Sequence, residues 1–220
     1  IWGYSEMLGT RFPEPHQKEA ENWIFSDDPL NDNRADDVVE YFIKNKDSFS
    51  NEEQQRLKEE FSKHSLSALA YARETKQRFK EGEAAIAQNS GTVMPYMYVL
   101  DINEFPEEHR ATAERAVITD PATAIGYALR TNKRFEAGEP TIAQNPYHAI
   151  RYARELQMPR FEAAEDAIIA APEHTEHLRK YVMQVLKDRF VRGEKELIFP
   201  NTKLNTHRTL QYFTTLNNAE

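Results

Sequence analysis

The chain has 220 residues, 40% of them apolar, with a net charge of -8 and an isoelectric point near 5.5; that length buries either one ordinary core or an elongated core shared among small units. The complete absence of cysteine excludes disulfides, thiolate nucleophiles and Cys-ligated zinc. The acidic balance argues against sequence-independent binding of nucleic acid phosphates, which requires clustered uncompensated cations, and no apolar run approaches the ~20 residues that cross a bilayer.

The stretch RFEAGEPTIAQNP (134–146) largely restates RFKEGEAAIAQNS (78–90), and self-similarity at this separation is the mark of a repeat architecture. A Tyr followed eight or nine residues later by a Phe recurs along the chain: Tyr4 and Phe12, Tyr41 and Phe49, Tyr71 and Phe79, Tyr96 and Phe105, Tyr127 and Phe135, Tyr152 and Phe161, Tyr181 and Phe190. Tyr212 opens an eighth copy that the chain does not complete, and the Tyr-to-Tyr spacings are 37, 30, 25, 31, 25, 29 and 31.

Each unit begins with a helix. In the fifth, Ala124, Tyr127, Ala128, Thr131 and Phe135 fall at i, i+3, i+4, i+7 and i+11, which lays one stripe along an α-helix. Alanine stands three before and one after the Tyr in the units of Tyr71, Tyr127 and Tyr152, so those helices offer little bulk and a neighbour can approach closely. Beyond the Phe comes an acid and, three residues later, an apolar residue: Glu21 with Ile24, Glu83 with Ile86, Glu114 with Val117, Glu139 with Ile142, Glu165 with Ile168, Glu194 with Leu197. Phe61 takes the apolar place in the second unit. Pro140 directly follows Glu139, where a first-turn proline loses no hydrogen bond, and a carboxylate at that end favours the helix dipole. The unit is therefore a helix of about 12 to 15 residues, a turn at Arg-Phe, a helix of about 6 to 8, and a turn marked by Pro121, Pro146, Pro172 or Pro200. A short helix pair cannot bury its stripe alone, so neighbours must bury it for one another. The pattern predicts an all-α fold, an irregular α-solenoid of about seven helix-turn-helix units of 25–37 residues forming one array over 1–220. Both ends cut a unit, so an excerpt of a longer chain is expected.

Candidate sites follow in chain order. SDDPLND (26–32) gathers Asp27, Asp28 and Asp32, hard oxygen ligands of the kind Mg²⁺ takes in helical prenyl-transfer enzymes, but Pro29 interrupts the cluster and Asp32 precedes a helix as a cap. PEEHR (106–110) adds five residues that enlarge a turn of the fourth unit. Arg11, Arg78, Arg134, Arg160 and Arg189 precede five of the phenylalanines; such a column could read a single strand, yet a Glu follows most of them five residues later and an Arg-carboxylate pair explains the column with less. His174 and His177 stand three apart and His207 could complete a zinc site, without any H-E-x-x-H signature. The distance from the turn proline to the Tyr grows in 29–41, 172–181 and 200–212, and insertions in a repeat array map to one edge; these are the expected contact segments for a protein partner. No catalytic, cofactor-binding or metal-binding residue is assigned, and no cofactor is expected.

Written as P-x-x-A-x-x-Y-A followed by R-F-x-x-G-E-x-x-I-A-x-x-P, the unit resembles repeats of uncharacterised proteins of large tailed bacteriophages, most clearly around Phe79, Phe135 and Phe161. The resemblance implies a viral origin, a place in the host cytoplasm or virion, and a scaffold or interaction role. The expectation is a non-enzymatic helical-repeat scaffold mediating protein–protein interaction; the alternatives are a helical-array enzyme using the Asp cluster with Mg²⁺, or a modular single-stranded nucleic-acid binder.

Overall fold

The structure is a computed structural model and describes residues 35–171, 174–188, 190–193 and 214. The fold is all-α and built of helical repeats, with no strand among the described residues. Packing divides the chain into two compact units, Ile1–Ala116 and Val117–Glu220. Tyr4, Phe12 and Tyr212 of the repeat lie outside the described residues.

The first unit contains α1 (Ala35–Lys44), a 3₁₀ turn (Lys46–Ser48), α2 (Asn51–Lys63), α3 (Ser65–Thr75), a 3₁₀ turn (Lys80–Gly82), α4 (Glu83–Ala87), α5 (Ser90–Val99) and α6 (Glu107–Val117), whose last residue is the first of the second unit. The second contains α7 (Pro121–Thr131), a 3₁₀ turn (Glu136–Gly138), α8 (Glu139–Ala143), α9 (Pro146–Glu155), a 3₁₀ turn (Glu162–Ala164), α10 (Glu165–Ala170) and α11 (His174–Tyr181), which runs into a π turn (Val182–Leu186). The Tyr-bearing helices stack on one another: α1 on α3 and α3 on α5 in the first unit, α7 on α9 and α9 on α11 in the second. Ala68, Ala72, Ala124, Ala128, Ala149 and Ala153 are all fully buried in these stacks, so the expected close approach is present.

The Tyr–Phe offset is a ring contact. Within each described repeat the two rings meet at centroid separations from 4.4 Å for Tyr71 and Phe79 to 6.4 Å for Tyr41 and Phe49. Aromatic pairs at such distances are worth ~0.5–1.5 kcal/mol beyond their burial. The chain can return to its own helix in eight or nine residues because that helix ends abruptly. Lys76, Asp101, Asn132 and Gln157, each five after the Tyr, have φ between 50° and 54°. Behind three of them the chain closes a Schellman turn, Ile102 N–H donating to the Met97 carbonyl at 3.0 Å, Lys133 N–H to that of Ala128 at 3.2 Å and Met158 N–H to that of Ala153 at 2.8 Å. This left-handed stop makes α7 and α9 11 and 10 residues long, shorter than the periodicity predicts. At the other end Asn89, Asp120 and Asn145 cap α5, α7 and α9 by accepting from Gly91, Thr123 and His148 N–H. Pro121 and Pro146 follow their caps as the first helical residue.

The second halves of the repeats are of two kinds. Where the sequence reads R-F-x-x-[G/A]-E, a 3₁₀ turn precedes a helix of only 5 or 6 residues. Where it does not, the chain enters a long helix directly: Ser50 caps α2 in a reciprocal capping box with Glu53, and α2 runs 13 residues. Residues 106–110 belong to this second kind. They were expected to enlarge a turn, but Glu107–Arg110 are the first residues of the 11-residue α6, because Pro106 suits a helix start and Glu107 and Glu108 favour its positive end.

Candidate functional site

Among the described residues, polar groups converge repeatedly at the joints between repeats. Arg78, Arg134 and Arg160 stand just before the 3₁₀ turns, and Glu83, Glu139 and Glu165 are the first residues of α4, α8 and α10. The turn brings the two together as a fork: Arg134 Nε donates to Glu139 Oε1 at 2.5 Å and Nη2 to Oε2 at 2.8 Å, with 2.5 and 2.8 Å for Arg78 on Glu83, and 2.6 and 2.9 Å for Arg160 on Glu165. The tyrosine of the following repeat supplies the third member. Tyr96, Tyr152 and Tyr181 donate their hydroxyls to Glu83, Glu139 and Glu165 at 2.7, 3.1 and 3.3 Å. Tyr152 and Tyr181 also accept the backbone N–H of Phe135 and Phe161, both at 2.8 Å.

The carboxylates are buried, at 1%, 8% and 1% exposure for Glu83, Glu139 and Glu165. A buried lone carboxylate would be costly, and each has a bidentate cation and a hydroxyl donor to offset that cost. Hydrogen bonding to the carboxylate holds the three guanidiniums above their usual pKa. Burial raises the phenols, Tyr152 and Tyr181 to about 12, with the adjacent glutamate charge adding to the effect. Chemically the cluster is closed, since both oxygens of each glutamate are occupied. The arginine side chains nevertheless keep 40%, 56% and 49% exposure. Arginine–glutamate pairing is thus what the column does among the described residues, while Arg11 and Arg189 lie outside them.

The repeats lacking the R-F motif use other bonds. Gln54 and Arg110, each five after its Phe, donate to the carbonyls of Phe49 and Phe105 at 3.0 and 3.2 Å, and Arg110 also pairs with Glu104 at 3.0 Å. The fourth repeat therefore carries the pair with its signs exchanged. Sequence reasoning assigned the acid there to Glu114 and missed Glu104; the opposite charges six apart around Phe105 were the available signal.

One open surface feature differs from these closed joints. Tyr147, Ile150, Arg151 and Arg154 form one stripe of α9, and His177, Lys180 and Gln184 face it from α11 and the π turn, enclosing a groove of about 100 Å³. Its lining carries three permanent cations and no carboxylate. Ile150 is a buried floor and Tyr147 an exposed wall at 59%. Arg154 touches Gln184 Oε1 at 3.3 Å and Glu155 at 2.5 Å; Lys180 lies 3.4 Å from Glu176, which Arg179 already holds at 2.8 and 3.0 Å. His177 Nδ1 is buried without a hydrogen-bond partner.

Of the predicted site residues, Asp27, Asp28, Asp32 and His207 lie outside the described residues, as do 29–34, 172–173 and 200–212 of the contact segments. His174 is helical, in α11 with His177. Among the described residues no three His, Asp or Glu come together as a metal site, and no helix is long and apolar enough to cross a membrane. In comparisons with known proteins, no family model, curated protein or solved structure matches the chain.

Proposed function

We propose that the protein is a non-enzymatic helical-repeat scaffold that holds a protein partner, in keeping with the resemblance to phage repeat proteins and a role in a phage particle or its assembly. The observation that carries this reading is the identity of the three Arg–Glu–Tyr joints. Catalytic groups are as a rule single, asymmetric and left with a proton or lone pair to use. Here the same bonds recur at Glu83, Glu139 and Glu165, with both carboxylate oxygens occupied each time. Repetition of a closed cluster is the chemistry of architecture, and stacked repeats offer side chains of successive helices as a continuous binding surface.

The test is site-specific photocrosslinking in cells that make the native partner set, with the reactive residue replacing Tyr98 in the first unit and Tyr147 in the second, both 59% exposed. A discrete adduct with one protein species at either position is the expected result. A chain that forms no adduct at either position and sediments in lysate at its own mass would overturn the reading.

A further inference from the structure

We infer that the groove between α9 and α11 binds an acidic peptide segment, with carboxylates set around an apolar side chain. The inference deepens the interaction reading above and rests on it. Three observations carry it. Arg151, Arg154 and Lys180 project into one groove whose lining contains no acid, in a chain whose net charge is -8. Arg151 makes no ion pair or hydrogen bond among the described residues, and the other two keep donors available beside their contacts, Arg154 to Glu155 and Gln184 and Lys180 to Glu176. The floor and wall are Ile150 and the exposed ring of Tyr147, which suit an apolar or aromatic side chain rather than a second charge.

Among the described repeats whose Tyr helix ends in a left-handed residue, all but the second, the backbone is altered only here. The left-handed residue that ends the Tyr helix comes five after Tyr71, Tyr96, Tyr127 and Tyr152, but six after Tyr181, at Lys187. The added residue is accommodated in the π turn Val182–Leu186, and Gln184 of that turn lines the groove. Single π turns inside helices accompany functional sites more often than chance because they re-aim side chains. The position of Arg151 is Ala70, Pro95 and Gly126 in the three preceding repeats, so that cation is not part of the repeat pattern, whereas the position of Arg154 is also an arginine, Arg73, in the third repeat.

Charge also selects among anionic partners. A nucleic acid strand continues its charge beyond three cations, and here it would meet Glu155 and Glu176 at the borders of the groove and an acidic molecule beyond. A short peptide confines its carboxylates to the groove.

A randomised octapeptide display library panned against the full 220-residue chain tests this directly. The expected selection carries two or more Asp or Glu flanking an apolar residue. Binding of the selected peptides to R151E/R154E should fall by about 30-fold or more, and to Tyr147→Ala by a smaller factor, with the melting temperature of the tyrosine variant unchanged because only an exposed side chain is removed. Selected sequences without acidic bias, undiminished binding to both variants, or displacement of the peptide by dodecathymidylate at equal charge concentration would each overturn the inference. Its failure is separable from that of the scaffold reading: adducts at Tyr98 persist if only the groove is wrong, and vanish if the interaction reading is wrong.

Discussion

Arg134, Glu139 and Tyr152 show how unequal the members of a balanced cluster are. Glu139 is 8% exposed, whereas the Arg134 side chain is 56% exposed. Removing the cation strands a buried negative charge with one hydroxyl donor; removing the anion leaves a guanidinium that can turn into water. Arg134→Met should therefore cost about 3 kcal/mol, and Glu139→Gln, which keeps shape and one acceptor, about 1 kcal/mol. Urea unfolding at neutral pH measures both, and equal losses would show that Glu139 is more hydrated than its surroundings imply. Half of this cluster was legible in the sequence. The five-residue step from Arg to Glu announces a pair, but the tyrosine comes from the next repeat, 13 residues after Glu139. No local spacing says that its ring faces one repeat and its hydroxyl another.

At the scale of the element, the turn between Phe135 and Glu139 depends on the absence of a side chain. A Cβ on Gly138 would lie 2.6 and 2.8 Å from the Phe135 ring and 3.3 Å from Ala124 Cβ; on Gly82 it would lie 2.6 Å from Ala68 Cβ and 2.7 Å from the Phe79 ring. The backbone does not ask for glycine, since φ is -87° at Gly138 and Ala164 holds the same place at -95°. What differs is the phenylalanine: φ is -129° at Phe161, against -107° at Phe135 and -108° at Phe79. Phe161 thus has the backbone setting that leaves room for the methyl group. Gly138→Ala should cost ~1–3 kcal/mol through overpacking, with faster hydrogen exchange at the Phe135 amide that donates to Tyr152; an unchanged exchange rate would mean that the ring moves aside without strain. In the described repeats the periodicity foretold both helices, but it overstated the length of the Tyr-bearing ones and understated α2 and α6, which run 13 and 11 residues. The left-handed stops at Lys76 and Gln157 are the reason, because neither residue type advertises positive φ as Gly or Asn does. PEEHR was misread for a related cause: without the Arg-Phe joint, the chain has no 3₁₀ turn to make and passes straight into α6.

Across the whole molecule the joints set a pH limit. Tyr152 and Tyr181 stay protonated until about pH 12 in the folded chain, chiefly because burial disfavours phenolate, and Tyr96 is raised for the same first reason. In the unfolded chain a tyrosine loses its proton near pH 10. Below that point both states carry the proton and the joint contributes in full. Between about pH 10 and 12 only the unfolded state ionises, so stability falls as pH rises, by about 2–3 kcal/mol for each tyrosine shifted by two units. One such joint lies in Ile1–Ala116 and two in Val117–Glu220, so both packing units should weaken. Urea unfolding of the native chain from pH 9 to pH 12 should show that loss, in step with phenolate absorbance. A Y152F/Y181F variant provides the discriminating control. It starts less stable at pH 9, because the Phe135 and Phe161 amides lose their acceptor, yet its stability should decline less over the same range, since phenylalanine has no proton to give up. Parallel declines in the two chains would assign alkaline unfolding to groups other than the joint tyrosines.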